Sequence, residues 1–206
     1  RTILAMNKHF QIRVAEDGDA RACHDIYGSY VDDLIVTFTI DNPSVEEYLA
    51  KIRNTKKLYP FYVAEDTEGR IIGYCCGEPL RPHDAYKWNV EWTIVLAPDC
   101  PRRQGVGSAL FEQFERTLKA QGFQYIYAVI VDTNEPSIAF HKSLGFSEVG
   151  HFMNAGIKQG QWLGIKWLSK FIGTTGSANV HDPIPFERLL EANSSTIQCN
   201  GATECD

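Results

Sequence analysis

Arg102-Arg103-Gln104-Gly105-Val106-Gly107-Ser108 is the stretch on which the reading of this chain turns. It follows an apolar run that ends at Leu96. It precedes Leu110, Phe111, Phe114 and Leu118, whose spacing of three and four residues marks one face of a helix. The stretch is therefore a strand-to-helix turn. Its glycines let backbone approach a ligand without an intervening Cβ. The start of the helix offers unpaired N–H groups and the positive end of a dipole. Arg102 and Arg103 add charge-assisted donors. Together these features suit a phosphate-type anion; they equally describe a glycine-rich turn with surface arginines, and the motif alone leaves both readings open. No Gly-Lys-Ser/Thr follows, so it is not a P-loop, and no G-x-G-x-x-G is present to suggest a dinucleotide fold.

Working outward, His9 to Val14 reads as a first strand, and Asp17 caps a helix running to about Val31. Thr37-Phe38-Thr39 is a loop or short strand. Ser44-Val45-Glu46-Glu47 is a capping box opening a helix that ends near Lys56. Phe61 to Glu65 and Arg70 to Gly77 form a hairpin around Glu68-Gly69, and Tyr86 to Leu96 is a long strand. The helix Gly107 to Ala120 stops at Gly122. Tyr125 to Val131 is a buried strand, Pro136 starts a helix that Gly145 ends, and Phe146 to Phe152 and Trp162 to Trp167 close the order. The sequence β-α-α-β-β-β-α-β-α-β-β is a mixed α/β plan with helices to cover both faces of a sheet. It predicts one domain, residues 9–172, and a polar C-terminal extension, 173–206, peripheral or partly disordered, in which Pro183 to Leu190 has the makings of one short docked helix.

Composition limits the possible partners. The 206 residues carry a formal net charge of -6, with no basic stretch of the kind that follows a nucleic-acid backbone, so a nucleic-acid partner is not expected. An acidic chain that binds an anion must do so with local donors. The longest apolar runs are strand-sized, which predicts no membrane span, and the first residues lack the apolar core of a secretory leader. Six cysteines without paired C-x-x-C spacing read as reduced thiols of a cytoplasmic protein, with no metal.

The segment Asn134-Glu135-Pro136-Ser137-Ile138-Ala139-Phe140-His141-Lys142-Ser143-Leu144-Gly145-Phe146 resembles the second cofactor motif of GNAT acetyltransferases, and it follows the first in the right order. The match narrows from Ile12 to Trp167 to the phosphinothricin (methionine sulfoximine/sulfone) acetyltransferase type. The residues carrying it are Val36-Thr37-Phe38, Tyr59-Pro60, Val63-Ala64-Glu65, Ala85 to Glu91, Gln121-Gly122-Phe123, Ala128-Val129-Ile130 and Gly156 to Trp162. The resemblance implies a GNAT fold in the α/β (α+β) class: a central mixed, mostly antiparallel twisted sheet of about seven strands, flanked by about four helices, with splayed strands forming the coenzyme A cleft. It implies an N-acetyltransferase that uses acetyl-CoA and no metal, acts on a small amino-acid-like amine, serves in amino-acid analogue detoxification, and forms a homodimer.

The same resemblance implies roles for particular residues. The pantetheine arm would lie along Ile94, Val95 and Leu96, and the pyrophosphate on Arg102, Arg103, Gln104, Gly105, Val106, Gly107 and Ser108. Asn134 and Ser137 face the cofactor, although Asn134 also suits a helix cap. Glu91 is the general base; alone, it would read as a paired strand glutamate. His141 stands where many relatives have tyrosine, either assisting the departing sulfur or packed against the sheet. Phe38, Tyr86 and Val131 fall at the substrate pocket, the two aromatics being equally suited to a core. Arg81 and His83 suit a substrate anion or the surface, and Trp162 and Trp167 suit structural or interface positions. Three departures concern the acceptor. Val131 replaces a glycine, Gln159 replaces a histidine, and Gly164 replaces an aspartate. The alternatives left open are a protein or peptide amine as acceptor, and a silent acyl-CoA-binding regulatory module.

Overall fold

In a computed structural model of the chain, residues 2–6, 8–33, 36–101, 104–174 and 180–192 are described. One eight-stranded sheet runs in the order β1-β2-β3-β4-β5-β6-β8-β7, from Ile3–Met6 (β1), Phe10–Val14 (β2), Phe61–Asp66 (β3), Ile71–Pro79 (β4), Asn89–Leu96 (β5), Tyr125–Val131 (β6), Ser147–Lys158 (β7) and Gln161–Phe171 (β8). Every pairing is antiparallel except β5 with β6. The helices are Ala20–Asp33 (α1), Val45–Leu58 (α2), Val106–Gln121 (α3), Glu135–Ser143 (α4) and residues 186–192 (α5). The expected class stands. The additional strand is β1, four residues without the alternation that would mark a strand in sequence.

Adjacent residues of β4 show how the layers form. The hydroxyl of Tyr74 meets that of Tyr48 on α2, while the thiol of Cys75 donates to the Leu110 carbonyl on α3. Successive strand residues point to opposite faces, so α2 and α3 cover opposite sides of the sheet. The expected face of α3 is its buried one: Leu110, Phe111, Phe114 and Leu118 are each at most 3% exposed, and each such burial contributes about 1.5–3 kcal/mol. The capping box of α2 forms as read, with Glu47 N–H donating to Ser44 Oγ and Ser44 N–H to the Glu47 carboxylate.

Several boundaries differ from expectation. Asp17, read as a helix cap, lies inside a 3-10 turn (Asp17–Asp19), and α1 begins only at Ala20. The long strand begins at Asn89 instead of Tyr86, because Asp84–Tyr86 wind into a 3-10 turn. The closing hairpin is longer than its apolar stretches suggested. It turns at Gln159 and Gly160, both with positive φ (50° and 75°), a backbone that matches the twist of the two strands. In the C-terminal segment Phe186 is buried with its ring edge-on to Tyr62, Gln121 donates to the Ile184 carbonyl, and Trp88 donates to the His181 carbonyl.

Candidate active site

The parallel pair β5–β6 holds only from Asn89 to Glu91 on one side and Tyr125 to Tyr127 on the other. Beyond this point β5 continues along β4 to Leu96, and β6 continues along β8 to Val131. The strands therefore fork, and Glu91 is the last residue of β5 paired across the fork. A cavity of about 550 Å³ opens between them, with Glu91, Ile94, Ile130, Val131, Asn134 and His141 in its lining.

The edge of β5 that faces the cleft is defined by its other ladder. Ala97 N–H donates to the Ile72 carbonyl, which puts that pair at a hydrogen-bonded position of the ladder. Antiparallel ladders alternate, so the N–H and C=O groups of Val95 and Thr93 face β4, and those of Trp92, Ile94 and Leu96 face the cleft. In agreement, the Tyr30 hydroxyl donates to the Leu96 carbonyl at 2.7 Å. Such an open edge can pair with an extended polar ligand as an added strand would.

At the N-terminus of α3, Gly105 is the N-cap in the left-handed region (φ 79°), and among the described residues no side chain caps the helix. By contrast Ser44 caps α2 and Asn134 caps α4. The first-turn amides of α3 are thus left for a ligand or solvent. Gly107 has a reason beyond ligand approach: a Cβ there would lie 3.0 Å from the ring of Phe140. The missing side chain lets α3 and α4 close on each other beside Ile94. Gln104 and Ser108 are exposed, and Gln104–Ser108 lie outside the cavity lining. Arg102 and Arg103 lie outside the described residues.

Glu91 stands opposite Glu78 on β4. Burial, together with the Glu78 carboxylate, raises its pKa above the usual glutamate value, and Arg81 opposes the rise. Glu78 itself is paired with Lys51 at 2.6 Å. A carboxylate whose proton affinity is increased in this way is better matched to taking up a proton near neutral pH.

His141 is 3% exposed, with its ring among Trp92, Phe140 and Phe146. Its Nδ1 lies 2.7 Å from the Ser137 carbonyl. A carbonyl only accepts, so Nδ1 carries the proton of that bond. Burial lowers the pKa of the ring and favours its neutral form, in which Nε2 is an acceptor. Asn134 accepts the Ser137 N–H through Oδ1 at 3.2 Å, so the cap reading holds, and its amide nitrogen makes no bond within the described residues.

The cavity thus gathers Glu91, Ile94, Val95, Leu96, Asn134, Ser137, His141, Phe38 and Val131. Tyr86 is not among them: it is 42% exposed in its 3-10 turn. Arg81 lies over the ring of Trp167 at 4.8 Å, and Trp162 is exposed on the edge hairpin. Tyr27, Tyr30 and Trp92 also line the cavity, and the sequence reading missed them. Tyr27 and Tyr30 have helical spacing that reads as a core face. Trp92 is buried with an Nε1–H that has no partner among the described residues. Among the described residues no group of three or more His, Cys, Asp or Glu is placed to hold a metal.

A mixed sheet forked at one parallel pair, with a Gly-capped helix following the open strand, offers an extended ligand an open strand edge and its anionic end a set of backbone amides. The family model for the acetyltransferase (GNAT) domain matches residues 12–167, and the chain belongs to that family. It is an N-acetyltransferase of the GNAT type. It is 33% identical over 152 residues to the phosphinothricin N-acetyltransferase of Streptomyces viridochromogenes, covering 74% of this chain and 82% of that one. It is 32% identical over 120 residues to the L-methionine sulfoximine/L-methionine sulfone acetyltransferase of Pseudomonas paraeruginosa, covering 58% of this chain and 69% of the relative. The crystal structure of a GNAT phosphinothricin acetyltransferase from Sinorhizobium meliloti in complex with AcCoA superposes with a TM-score of 0.78 at 30% identity, covering 86% and 98% of the two chains.

Proposed function

We propose that this chain transfers an acetyl group from acetyl-CoA to the primary amine of a small amino-acid-like acceptor of the phosphinothricin or methionine sulfoximine type. The observation that carries the reading is the position of Glu91 at the fork, where its raised pKa suits proton removal. Acetyl-CoA supplies the activated acetyl thioester when bound. The first-turn amides of α3, with Arg102 and Arg103, would hold its pyrophosphate, and the cleft-facing groups of Ile94 and Leu96 its pantetheine arm, with Val95 between them. Asn134 and Ser137 lie along the same path.

An α-ammonium group is mostly protonated near neutral pH. Glu91 would take its proton, directly or through a water, freeing the nitrogen lone pair to bond the thioester carbon. The carbon–sulfur bond would then break, and the thiolate would leave as the thiol with the second proton shed by the nitrogen. With Nδ1–H held by Ser137, neutral His141 offers Nε2 as an acceptor. That supports a role in positioning the sulfur end of the ligand over one in donating a proton. Phe38 and Val131 bound the acceptor end. Residues 9–172 form the catalytic domain and 173–206 an extension. The enzyme works in the cytoplasm, detoxifying amino-acid analogues, as a homodimer. Exposed Met153, Ile157 and Trp162 on the edge hairpin support the dimer.

The test is titration with acetyl-CoA followed by thiol release on a panel of amino-acid analogues, amines and peptides. Turnover of small amino-acid-like amines is expected. Turnover of basic peptides alone would replace the acceptor class. Binding without turnover of any amine would make the chain a silent acyl-CoA-binding module.

A further inference from the structure

Gly156 on β7 lacks a side chain for a reason its own backbone does not supply. Gly69, Gly105, Gly122, Gly145 and Gly160 have positive φ, but Gly156 does not. What it needs is room: a Cβ at 156 would lie 2.6 Å from Cε1 and 2.8 Å from Cδ1 of Phe38. The ring of Phe38 therefore rests on the bare backbone of β7, and it lines the same cavity as Glu91 and Val131.

The segment carrying that ring is fastened around it. The hydroxyls of Thr37 and Thr39 bond the Tyr27 hydroxyl at 3.0 and 2.5 Å, and Lys158 Nζ donates to the Thr37 carbonyl at 3.0 Å. With both flanking residues tied to α1, and Thr37 also tied to β7, the backbone has little freedom to follow a displaced ring. Ordinary carbon–carbon contact begins at about 3.5 Å. A methyl group at 156 would therefore push the ring about 1 Å off β7, over the cavity.

We infer that Gly156 is the positioning residue that sets the depth of the Phe38 wall, and through it the length of amine side chain the acceptor end admits. This rests on the acetyl-transfer reading of the site. Gly156 touches neither acceptor nor cofactor; it acts through Phe38.

The experiment compares wild type, Gly156→Ala, Phe38→Leu and the double variant. Each is assayed by thiol release from acetyl-CoA with alanine, phosphinothricin and methionine sulfone, alongside a crystal structure of Gly156→Ala. The expected result is a loss of about tenfold in kcat/KM for methionine sulfone relative to alanine in Gly156→Ala, the scale on which a pocket senses one or two methylenes. The KM for acetyl-CoA stays unchanged, the Phe38 ring is displaced in the crystal, and the double variant recovers the wild-type ratio. If Gly156→Ala does not fold, Phe38→Leu alone must shift the ratio towards the longer amine. An unchanged ratio, an equal loss for every amine, a ring that stays in place, or a double variant that fails to recover overturns the inference. Wild-type turnover on the panel reads the proposed function separately, and the ring position reads this inference even if no amine in the panel turns over.

Discussion

The two ends of the cleft are built from different material. The end assigned to the cofactor is mostly backbone: uncapped amides at the start of α3 and the open edge of β5 beyond Glu91. The end assigned to the acceptor is mostly side chain, from Phe38, Val131 and the residues that hold them. Backbone geometry depends on the fold and tolerates many sequences, so it can serve a ligand common to a family. Side chains contributed by separate segments change one at a time, and selectivity can change with them. Of the three departures, Val131 lines the second end and Gly164 precedes Ile165 of the same lining, whereas Gln159 sits exposed at the turn of the β7–β8 hairpin, outside it. Gly164 shows how such changes are accommodated, since a Cβ there would lie 2.2 Å from the Asp132 carboxylate that now fills the space.

Glu91 lies where the two ends meet, and its removal has the largest expected effect. Glu91→Gln is expected to lower kcat by about 10²–10⁴-fold, the range for a positioned general base, with the KM for acetyl-CoA unchanged. Steady-state thiol release measures both. The same variant removes a partly buried carboxylate facing Glu78, so its thermal midpoint at neutral pH is expected to rise.

At the cofactor end, Gly107→Leu drives a branched side chain into the ring of Phe140. Overpacking of this kind costs about 1–3 kcal/mol. Here the cost is expected both as a lower unfolding midpoint and as a KM for acetyl-CoA raised more than that for the amine. Equal changes in the two KM values would blur the division between the ends. Val131→Gly is its counterpart: a wider acceptor end, a change of about tenfold in the preference among amines, and an acetyl-CoA KM left as it was, measured on the same amine panel. The smallest effect belongs to Asn134→Ala. Loss of its cap to the Ser137 N–H costs about 1 kcal/mol, read by denaturant unfolding, with a modest rise in the KM for acetyl-CoA.

The same division decides how much was legible in the sequence. The cofactor end is encoded in contiguous stretches, so Gly105 to Ser108 and Asn134 to Phe146 are readable as a turn and a helix from their residues alone. Even there the reason for Gly107 was incomplete, because its contact with Phe140 crosses two helices. The acceptor end is assembled across long separations. The bond from Lys158 to Thr37 spans 121 residues, and no local pattern announces it. Tyr86 matched a pocket position by resemblance, yet the 3-10 turn leaves it exposed outside the cavity. Periodicity identified the strands that alternate and missed β1, which is short and does not.

The pH profile of kcat/KM tests the central claim most directly, measured for wild type and Glu91→Gln with two amines of different basicity. A base with a raised pKa is protonated, and therefore idle, over a wider acid range. Wild-type activity should accordingly fall through an inflection above the ordinary glutamate value of 4.5, at the same pH for both amines, and that inflection should be missing in Glu91→Gln. The same acid limb in both proteins would contradict the assignment of Glu91 as the base at the fork.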